Sequence, residues 1–584
     1  MPELAPNERR HDLDALRAFA MLLGIALHAA MVYLPMAPGA WPVQDANQHA
    51  IYGSFVSAVH GFRMPLFFLV SGFFTAMLWR KRGLAALLWH RFRRIFLPLL
   101  LGMITIVPAM WWAMSYVKED RLDPVDPTAD VWSAARAGDV GWLRKHLSGG
   151  ADIDGLDAAL KSTPLTTATF TGQTEVVATL LKLGADPNIR NGDDGTVLHA
   201  AAFFGRDKIA KLLIDHGADL NIQNRHGETP LDTTVHGWPV VEHIARIVQC
   251  VPDQEQVTQG REVVVGLIKN HPDWQPPADE ETAGASAAES AGTPAWFRTA
   301  TEFPLFHHLW FLWFLCILIA AFALYAVIAD AVGWQGLPRW LMLTPVCLLW
   351  LIPLTIWPQW FMARFGPDTS TVLLPPARIL LYYAIFFFFG ALYFDSKDTA
   401  ARIGRGWFVV LPVALLVLFP CGYWLTYSRW PAPFDIVYGR LFSETAIKAE
   451  WLRDLLRSAI LATYAWLMTF SLMGLFHWML RRENPTVRYF SDASYWLYLT
   501  HLPTLFFIQF WLKPLPLPAF VKFVLACLVC TGFLLVLYQY LVRYTWIGWL
   551  LNGRKARPGG ANSTERTATG LEVADEGSVV RAEA

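Results

Sequence analysis

An arginine and a histidine lie eleven residues apart in the first long apolar stretch of the chain, residues 14–34. An α-helix turns about 100° per residue, so Arg17 and His28 share one helix face and lie about 16 Å apart along its axis. Ionisable side chains at membrane depth are costly and commonly face a functional cavity. An imidazole can serve as a general base or as a covalent nucleophile. The alternative is an anchoring arginine and a histidine that packs against another helix.

Two further apolar stretches carry histidines at a depth similar to that predicted for His28. The first contains His60 and Arg63, three residues apart and therefore on one helix face, in VHGFRMPLFFLVSGFF. The second, SYWLYLTHLPTLFF, contains His501. Arg63 is the most costly of these side chains to place in a membrane, so a packing role suits it less than it suits the two histidines.

Two arginines, Arg91 and Arg94, lie one helix turn apart in WHRFRRIFLP, ahead of the third apolar stretch. The planar guanidinium group matches phosphate oxygens, so this pair could bind a phosphorylated ligand. The alternative is that both residues only anchor a helix at the cytoplasmic surface. His307 and His308 open a later apolar stretch at its outer end, where we expect surface positions.

The composition is that of a membrane protein with several spans. Of the 584 residues, 54% are hydrophobic and only 16% are charged, whereas soluble domains contain about 25% charged residues. The formal net charge of zero gives no reason to expect nucleic acid as a partner. Cys527 and Cys530 form a CxxC inside an apolar run, where small packing residues are the expected interpretation. The polar start and the length of the first apolar run argue against a cleavable signal peptide.

The apolar runs predict an all-α membrane bundle of about ten helices. The spans are expected near residues 14–36, 52–79, 95–116, 305–330, 340–358, 375–394, 407–427, 458–480, 489–512 and 519–546. Basic residues concentrate in alternate connections, at Arg9, Arg10, Arg80, Lys81, Arg82, Arg339, Lys397, Arg402, Arg405, Arg481, Arg482, Arg488, Arg554, Lys555 and Arg557. By the positive-inside rule, both termini are predicted to be cytoplasmic.

A repeat of 33 or 34 residues interrupts this pattern between the third and fourth spans. Thr163-Pro164-Leu165, Thr196-Val197-Leu198 and Thr229-Pro230-Leu231 recur at one position of the unit, and a Gly-Ala-Asp triplet recurs at another. The unit resembles the ankyrin repeat over residues 130–250. The number of preceding spans predicts this array on the non-cytoplasmic side. We expect a partly disordered linker over residues 251–303, mainly 276–294, and a disordered tail over 558–584.

The order of the motifs resembles the acyltransferase family 3 membrane proteins. The similarity rests on Arg17 with His28, on RFRR around Arg91 and Arg94, and on the strings FRMPLFFLVSGFF, HLWFL and SYWLYLTH. The string FRMPLFFLVSGFF is most similar to the glucan biosynthesis protein C-like branch of that family. The resemblance covers residues 10–116 and 304–550, with three and seven predicted helices.

This resemblance implies a bacterial inner-membrane enzyme that moves an acyl group, acetyl or succinyl, from cytoplasmic acyl-CoA to a hydroxyl of an extracytoplasmic glycan. His28 matches the essential histidine of the family, with His60, Arg63 and His501 as further candidate catalytic residues. Arg17, Arg91 and Arg94 match its conserved arginines and would hold the donor. No permanently bound cofactor and no metal are implied. The ankyrin array is a departure from the family and offers a surface for a protein partner.

Two other interpretations remain open. An ankyrin-bearing transporter or channel would also be a polytopic protein, although the hydropathy pattern shows no repeated halves. A non-catalytic membrane anchor for the ankyrin surface would not need ionisable groups at membrane depth.

Overall fold

The structure is a computed structural model. It describes residues 10–35, 41–117, 125–157, 160–225, 227–275, 300–301, 303, 305–334, 336–343, 345–362, 364–398, 400–441, 449–480 and 484–553. Within these ranges the chain forms helices and turns and contains no β-strand, which confirms the all-α prediction. The predicted disordered segments 276–294 and 558–584 lie outside the described residues.

The first membrane segment consists of helices α1 (His11–Ala30), α2 (Ala50–Arg91) and α3 (Leu97–Val117), with a π-helical segment, Phe92–Phe96, between α2 and α3. The run from α2 to α3 reverses direction at Gly83, whose φ of +78° is not helical. Arg91 donates from Nη2 to Thr75 Oγ1 at 3.0 Å, although a straight helix would separate the two residues by about 24 Å. The run is therefore a hairpin with two antiparallel arms.

The ankyrin segment contains eight helices in the described residues: α4 (Val131–Ala137), α5 (Val140–Ser148), α6 (Pro164–Thr171), α7 (Thr174–Lys182), α8 (Val197–Phe203), α9 (Asp207–Asp215), α10 (Trp238–Ile247) and α11 (Gln254–Lys269). Thr163 begins α6 by accepting a hydrogen bond from the Thr166 amide at 3.1 Å. His199 Nε2 donates to the Glu228 carbonyl of the next unit at 3.0 Å. Burial lowers the pKa of His199, so this link between units is made by a neutral ring.

Helix α11 extends the array beyond the predicted boundary at residue 250. Val257, Gly260, Val264 and Ile268 form its buried face, and the last two belong to the same core as Leu213 of α9. The first part of the predicted linker is thus an added helix of the array. The sequence did not indicate this helix because the repeat pattern ends earlier. The apolar face of α11 nevertheless covers the last unit of the array.

The second membrane segment continues with α12 (Trp310–Ala331), α13 (Arg339–Met342), α14 (Val346–Trp360), α15 (Ala377–Asp395), α16 (Trp407–Val413), α17 (Phe419–Tyr427), α18 (Asp435–Leu441), α19 (Glu450–Met479), α20 (Pro485–Leu512), α21 (Ala519–Leu537) and α22 (Trp546–Asn552). A π-helical segment joins α16 to α17, and another follows α21. Helix α1 lies inside the bundle, where it contacts α2, α19, α20 and α21.

Among the described residues, seven helical segments are long and apolar enough to cross a membrane: His11–Tyr33, Ala50–Val117, His307–Ala331, Ala377–Asp395, Trp407–Tyr427, Glu450–Met479 and Ala519–Val542. The second is the hairpin, which corresponds to two predicted spans. The predicted spans at 340–358 and 489–512 correspond to the 15-residue helix α14 and to α20, which are not among the seven. The protein is a multi-pass membrane protein, and the count of ten stays a prediction.

Candidate functional site

A cavity of about 650 Å³ opens among α1, α2, the segment Phe92–Phe96 and α20. One part of its wall is basic and contains Arg10, Arg17, Lys81, Arg91, Arg94 and Arg488. The structure thus brings together the three arginines that the sequence associates with the donor. Asp14 and Asp492 also line the cavity and offset part of this positive charge.

The three candidate donor arginines keep hydrogen-bonding capacity for a ligand. Arg17 donates from Nη2 to Ser491 Oγ at 2.9 Å and lies 3.7 Å from the Asp14 carboxylate. The Nε atoms of Arg17, Arg91 and Arg94 are buried and have no hydrogen-bond partner in the part of the chain that the structure describes. Buried donors are normally satisfied, so an anion in the cavity would complete their hydrogen bonding.

The remaining wall of the cavity is apolar and aromatic. It includes Met21, Phe67, Val70, Phe74, Phe311, Leu312, Leu315, Tyr495 and Tyr498. The hydroxyl of Tyr498 donates to the His308 carbonyl at 2.7 Å, and its ring centroid lies 6.5 Å from that of His501. Tyr498 thus links the apolar wall of the cavity to His308 and His501, members of a group of histidines that do not themselves line the cavity.

Three imidazoles from distant parts of the chain form this group. The ring centroids of His28 and His501 are 5.2 Å apart, and those of His501 and His308 are 5.9 Å apart. Trp41 stacks on His28 with a centroid distance of 5.9 Å and an interplanar angle of 8°. Its indole N–H donates to Gln509 Oε1 at 3.1 Å, and Gln509 Nε2 donates to the His28 carbonyl at 3.0 Å. The His28 ring therefore packs against both Trp41 and His501.

The other two candidate catalytic residues, His60 and Arg63, have different surroundings. His60 Nε2 donates to the Pro367 carbonyl at 2.9 Å, so this histidine ties α2 to the loop before α15, and its ring is not stacked on the other three. Arg63 lies against α1, where a Cβ atom at Gly24 would overlap its Nη1. Gly24 is four residues before His28 and shares its helix face, so the Arg63 guanidinium lies near the His28 ring.

His308 of the histidine group, and Trp41, which stacks on His28, escaped the sequence reasoning. We expected His308 at the surface because it opens an apolar stretch. In the structure Leu309 of the 3₁₀ turn His307–Leu309 is buried and His308 is half-buried, and His308 Nε2 donates to the Leu499 carbonyl of α20 at 3.1 Å. The string HLWFL was a usable signal for His308. Nothing local distinguishes Trp41 from the other interfacial tryptophans.

The fold and the cavity define a multi-pass helical membrane protein with a basic cavity, one lining residue of which, Tyr498, contacts the histidine group. Residues 10–132 and 263–539 match the acyltransferase domain family, and residues 131–231 match three copies of the ankyrin repeat. These acyltransferase segments make up more than half of the chain, so the chain belongs to the acyltransferase domain family. The family and the inserted ankyrin array predicted from the sequence are both confirmed.

Individual relatives are similar over shorter stretches. Glucans biosynthesis protein C of Escherichia coli (strain SMS-3-5 / SECEC) is 32% identical over 113 residues, which are 19% of this chain and 29% of that protein. Its counterpart in Salmonella paratyphi B (strain ATCC BAA-1250 / SPB7) is 32% identical over 114 residues, 20% of this chain and 29% of the relative. The matched stretch thus spans less than a third of these relatives. The solved ankyrin repeat domain of Bcl-3 is 27% identical with a TM-score of 0.18, covering 20% of this chain and 50% of that one.

Proposed function

We propose that this protein is a membrane-bound O-acyltransferase that moves an acyl group from acyl-CoA to a hydroxyl of an extracytoplasmic glycan. The observation that carries the proposal is the cavity, whose lining combines a basic wall with Tyr498, a residue that contacts the group of His28, His308 and His501. Membership of the acyltransferase domain family supports the reaction class. The relatives are named glucans biosynthesis protein C, which supports a glucan as the acceptor. Acetyl and succinyl groups both remain candidates for transfer.

The shape and charge of the cavity suit acyl-CoA as the donor. Coenzyme A is polyanionic at one end and carries its thioester on a long flexible arm. Arg17, Arg91 and Arg94 would bind the phosphates through charge-assisted hydrogen bonds. The arm would pass the apolar wall and present the thioester near His28, about 16 Å further along α1. In this arrangement the phosphates lie at the cytoplasmic side of the bacterial inner membrane.

His28 would move the proton in the transfer step. Its ring accepts the proton of the acceptor hydroxyl while the hydroxyl oxygen forms a bond to the acyl carbon. The carbon–sulfur bond breaks, and the departing thiolate takes the proton back from the ring. In the second route, a ring nitrogen attacks the thioester carbon and expels the thiolate, and the acceptor hydroxyl then attacks the acyl carbon, gives its proton to the thiolate and frees the ring. Arg63, which lies beside Gly24, would stabilise the oxyanion in either route.

The ankyrin array would act on the acceptor side. By the number of preceding spans it lies outside the cytoplasm, where it would hold a protein partner or position the glycan. Ankyrin arrays bind through their own extended surface, so the array contributes no side chain to the proton transfer.

A transfer assay on the purified protein tests the reaction. We expect wild-type protein to transfer labelled acetyl or succinyl from acyl-CoA to periplasmic glucan. His28→Gln should still bind acyl-CoA but lose about 10²–10⁴-fold in transfer rate, since an amide accepts no proton near neutral pH. His60→Gln should be much milder because that ring is bonded to Pro367. A His28→Gln rate above about a tenth of wild type would contradict the assignment.

A further inference from the structure

Main-chain carbonyls fix the tautomers of two imidazoles of the histidine group. The hydrogen is on Nδ1 in one ring and on Nε2 in the other. His501 Nδ1 lies 2.8 Å from the Tyr498 carbonyl oxygen and 3.1 Å from that of Leu497. A carbonyl only accepts, so Nδ1 carries the hydrogen, and Nε2 of the neutral ring is an acceptor. His308 bonds to the Leu499 carbonyl through Nε2. Its Nδ1 is therefore the acceptor.

These acceptors are buried beside His28 without a partner. His501 Nε2, His308 Nδ1 and His28 Nδ1 are inaccessible and make no hydrogen bond within the described residues. Leaving a buried polar atom unpaired costs about 1–3 kcal/mol, so three such atoms in one group call for an explanation.

We propose that His501 positions His28 by accepting a hydrogen bond at Nε2 from His28 Nδ1–H. This inference rests on the proposed function and gives His501 the role that a carboxylate has in serine hydrolases. No carboxylate is hydrogen-bonded to His28 in the described part of the chain. The two rings are tilted by 34° with centroids 5.2 Å apart, and His28 Nδ1 and His501 Nε2 are both buried without a partner in the described residues, which makes each the nearest ring able to satisfy the other.

The hydrogen bond selects the nitrogen of His28 that acts as the base. With hydrogen on Nδ1, the lone pair is on Nε2. His28 is half-buried although its Nδ1 is inaccessible, so the Nε2 side is the side that a substrate can reach. The acceptor hydroxyl gives its proton to Nε2, and the thiolate later removes it. The proton on Nδ1 stays in place throughout, and His501 remains neutral while it stabilises the charged His28 ring.

Two substitutions of His501 separate this role from packing. The side-chain oxygen of His501→Gln can reach the position of Nε2, whereas the amide of His501→Asn reaches only the position of Nδ1. We expect His501→Gln to keep kcat within about tenfold of wild type and His501→Asn to lose about 10²-fold or more, both with unchanged KM for acyl-CoA. Equal kcat values for the two variants would overturn the proposal.

Nitrogen-15 NMR of the full-length protein with labelled histidine gives a readout that needs no turnover. The His28 signals are assigned by their loss in His28→Gln. We expect the Nδ1–H form in wild type and in His501→Gln, and a mixture of tautomers in His501→Asn. A wild-type His28 in the Nε2–H form would overturn the proposal, even if His501→Asn fails to fold. Because this measurement requires no acyl transfer, a failure of the proposed function would be seen separately in the assay.

Discussion

Arg91 shows how the surroundings of one side chain decide between anchoring and binding. Its guanidinium group points into the protein, where Nη2 donates to Thr75 and Nε is buried and unpartnered in the described residues. An anchoring arginine would keep its charged end in water or among lipid headgroups. Arg91 lines the cavity together with Arg17 and Arg94, so ligand binding is the better interpretation.

Replacing Arg91 and Arg94 together by alanine should weaken acyl-CoA binding at least tenfold. Hydrogen bonds to charged groups contribute about 1.5–3 kcal/mol each, and about 1.4 kcal/mol corresponds to a tenfold change in affinity. The measurement is equilibrium binding of acyl-CoA to the purified protein.

Arg82→Ala is the matched control for this variant. Arg82 is basic and exposed at the same end of α2 but does not line the cavity, so its loss should leave affinity unchanged. If the double variant binds the donor as tightly as wild type, the arginines do not hold its phosphates.

The crossing of α2 and α15 sets the position of the helix that carries His60 and Arg63. A Cβ atom at Gly72 would overlap the Phe387 carbonyl of α15, and one at Gly390 would overlap the Leu69 carbonyl of α2. Each glycine therefore allows the backbone of the partner helix to approach, as small residues do in membrane helix packing.

Gly72→Ala should destabilise the protein by about 1–3 kcal/mol, the usual cost of overpacking. The methyl group meets main-chain atoms that cannot move without separating the two helices. A thermal or denaturant unfolding curve in detergent measures the effect.

Gly53→Ala provides the control on the same helix, since a Cβ atom there has no other atom within 4 Å. It should leave stability unchanged or raise it slightly. Equal stability of the two variants would show that the helices do not depend on this close contact.

The last described helix, α22, forms part of the cavity wall through Leu551 and Asn552 and also supports its basic region. Trp549 lies under the Arg93 guanidinium at 4.9 Å from its ring centroid, and Asn552 Nδ2 donates to the Asp492 carbonyl at 2.7 Å. A helix close to the end of the described chain thus braces the segment Phe92–Phe96, which presents Arg94 to the cavity.

The whole molecule is an acyltransferase domain interrupted by an ankyrin array. The family match stops at residue 132 and resumes at 263, so the array lies in one connection between membrane helices. The predicted side of the membrane for the array follows from the number of spans before that connection. The measured location of the array is therefore a direct test of the predicted topology.

Single cysteines should report that location in a background without the six native cysteines, all of which are free. Lys211 is exposed on α9 of the array, and Arg82 is exposed at the predicted cytoplasmic side. We expect Lys211→Cys to react with a membrane-impermeant thiol reagent in intact cells, and Arg82→Cys to react only after lysis. The reverse pattern would place the array in the cytoplasm.

Local pattern was enough to predict the all-α class, most of the apolar helices, the ankyrin units and the spacing of Arg17 and His28 along one helix. Apolar runs report membrane helices because lipid forces each segment to satisfy its own backbone hydrogen bonds. Ankyrin units contact mainly their neighbours, so their period is visible in the sequence. The distance and angle between two residues on one helix likewise depend only on how many residues separate them in the sequence.

The contacts between distant segments came only from the tertiary structure. His28 meets His501 and Trp41 because α1 packs against α20 and because Gln509 joins the loop at residue 41 to the end of α1. Arg91 reaches Thr75 only because the chain reverses at Gly83. The apolar periodicity of a helix indicates that one of its faces is buried. It does not indicate which helix covers that face, because many partners would bury the same area. The choice is made by close backbone contacts such as Gly72 on Phe387 and by hydrogen bonds between helices.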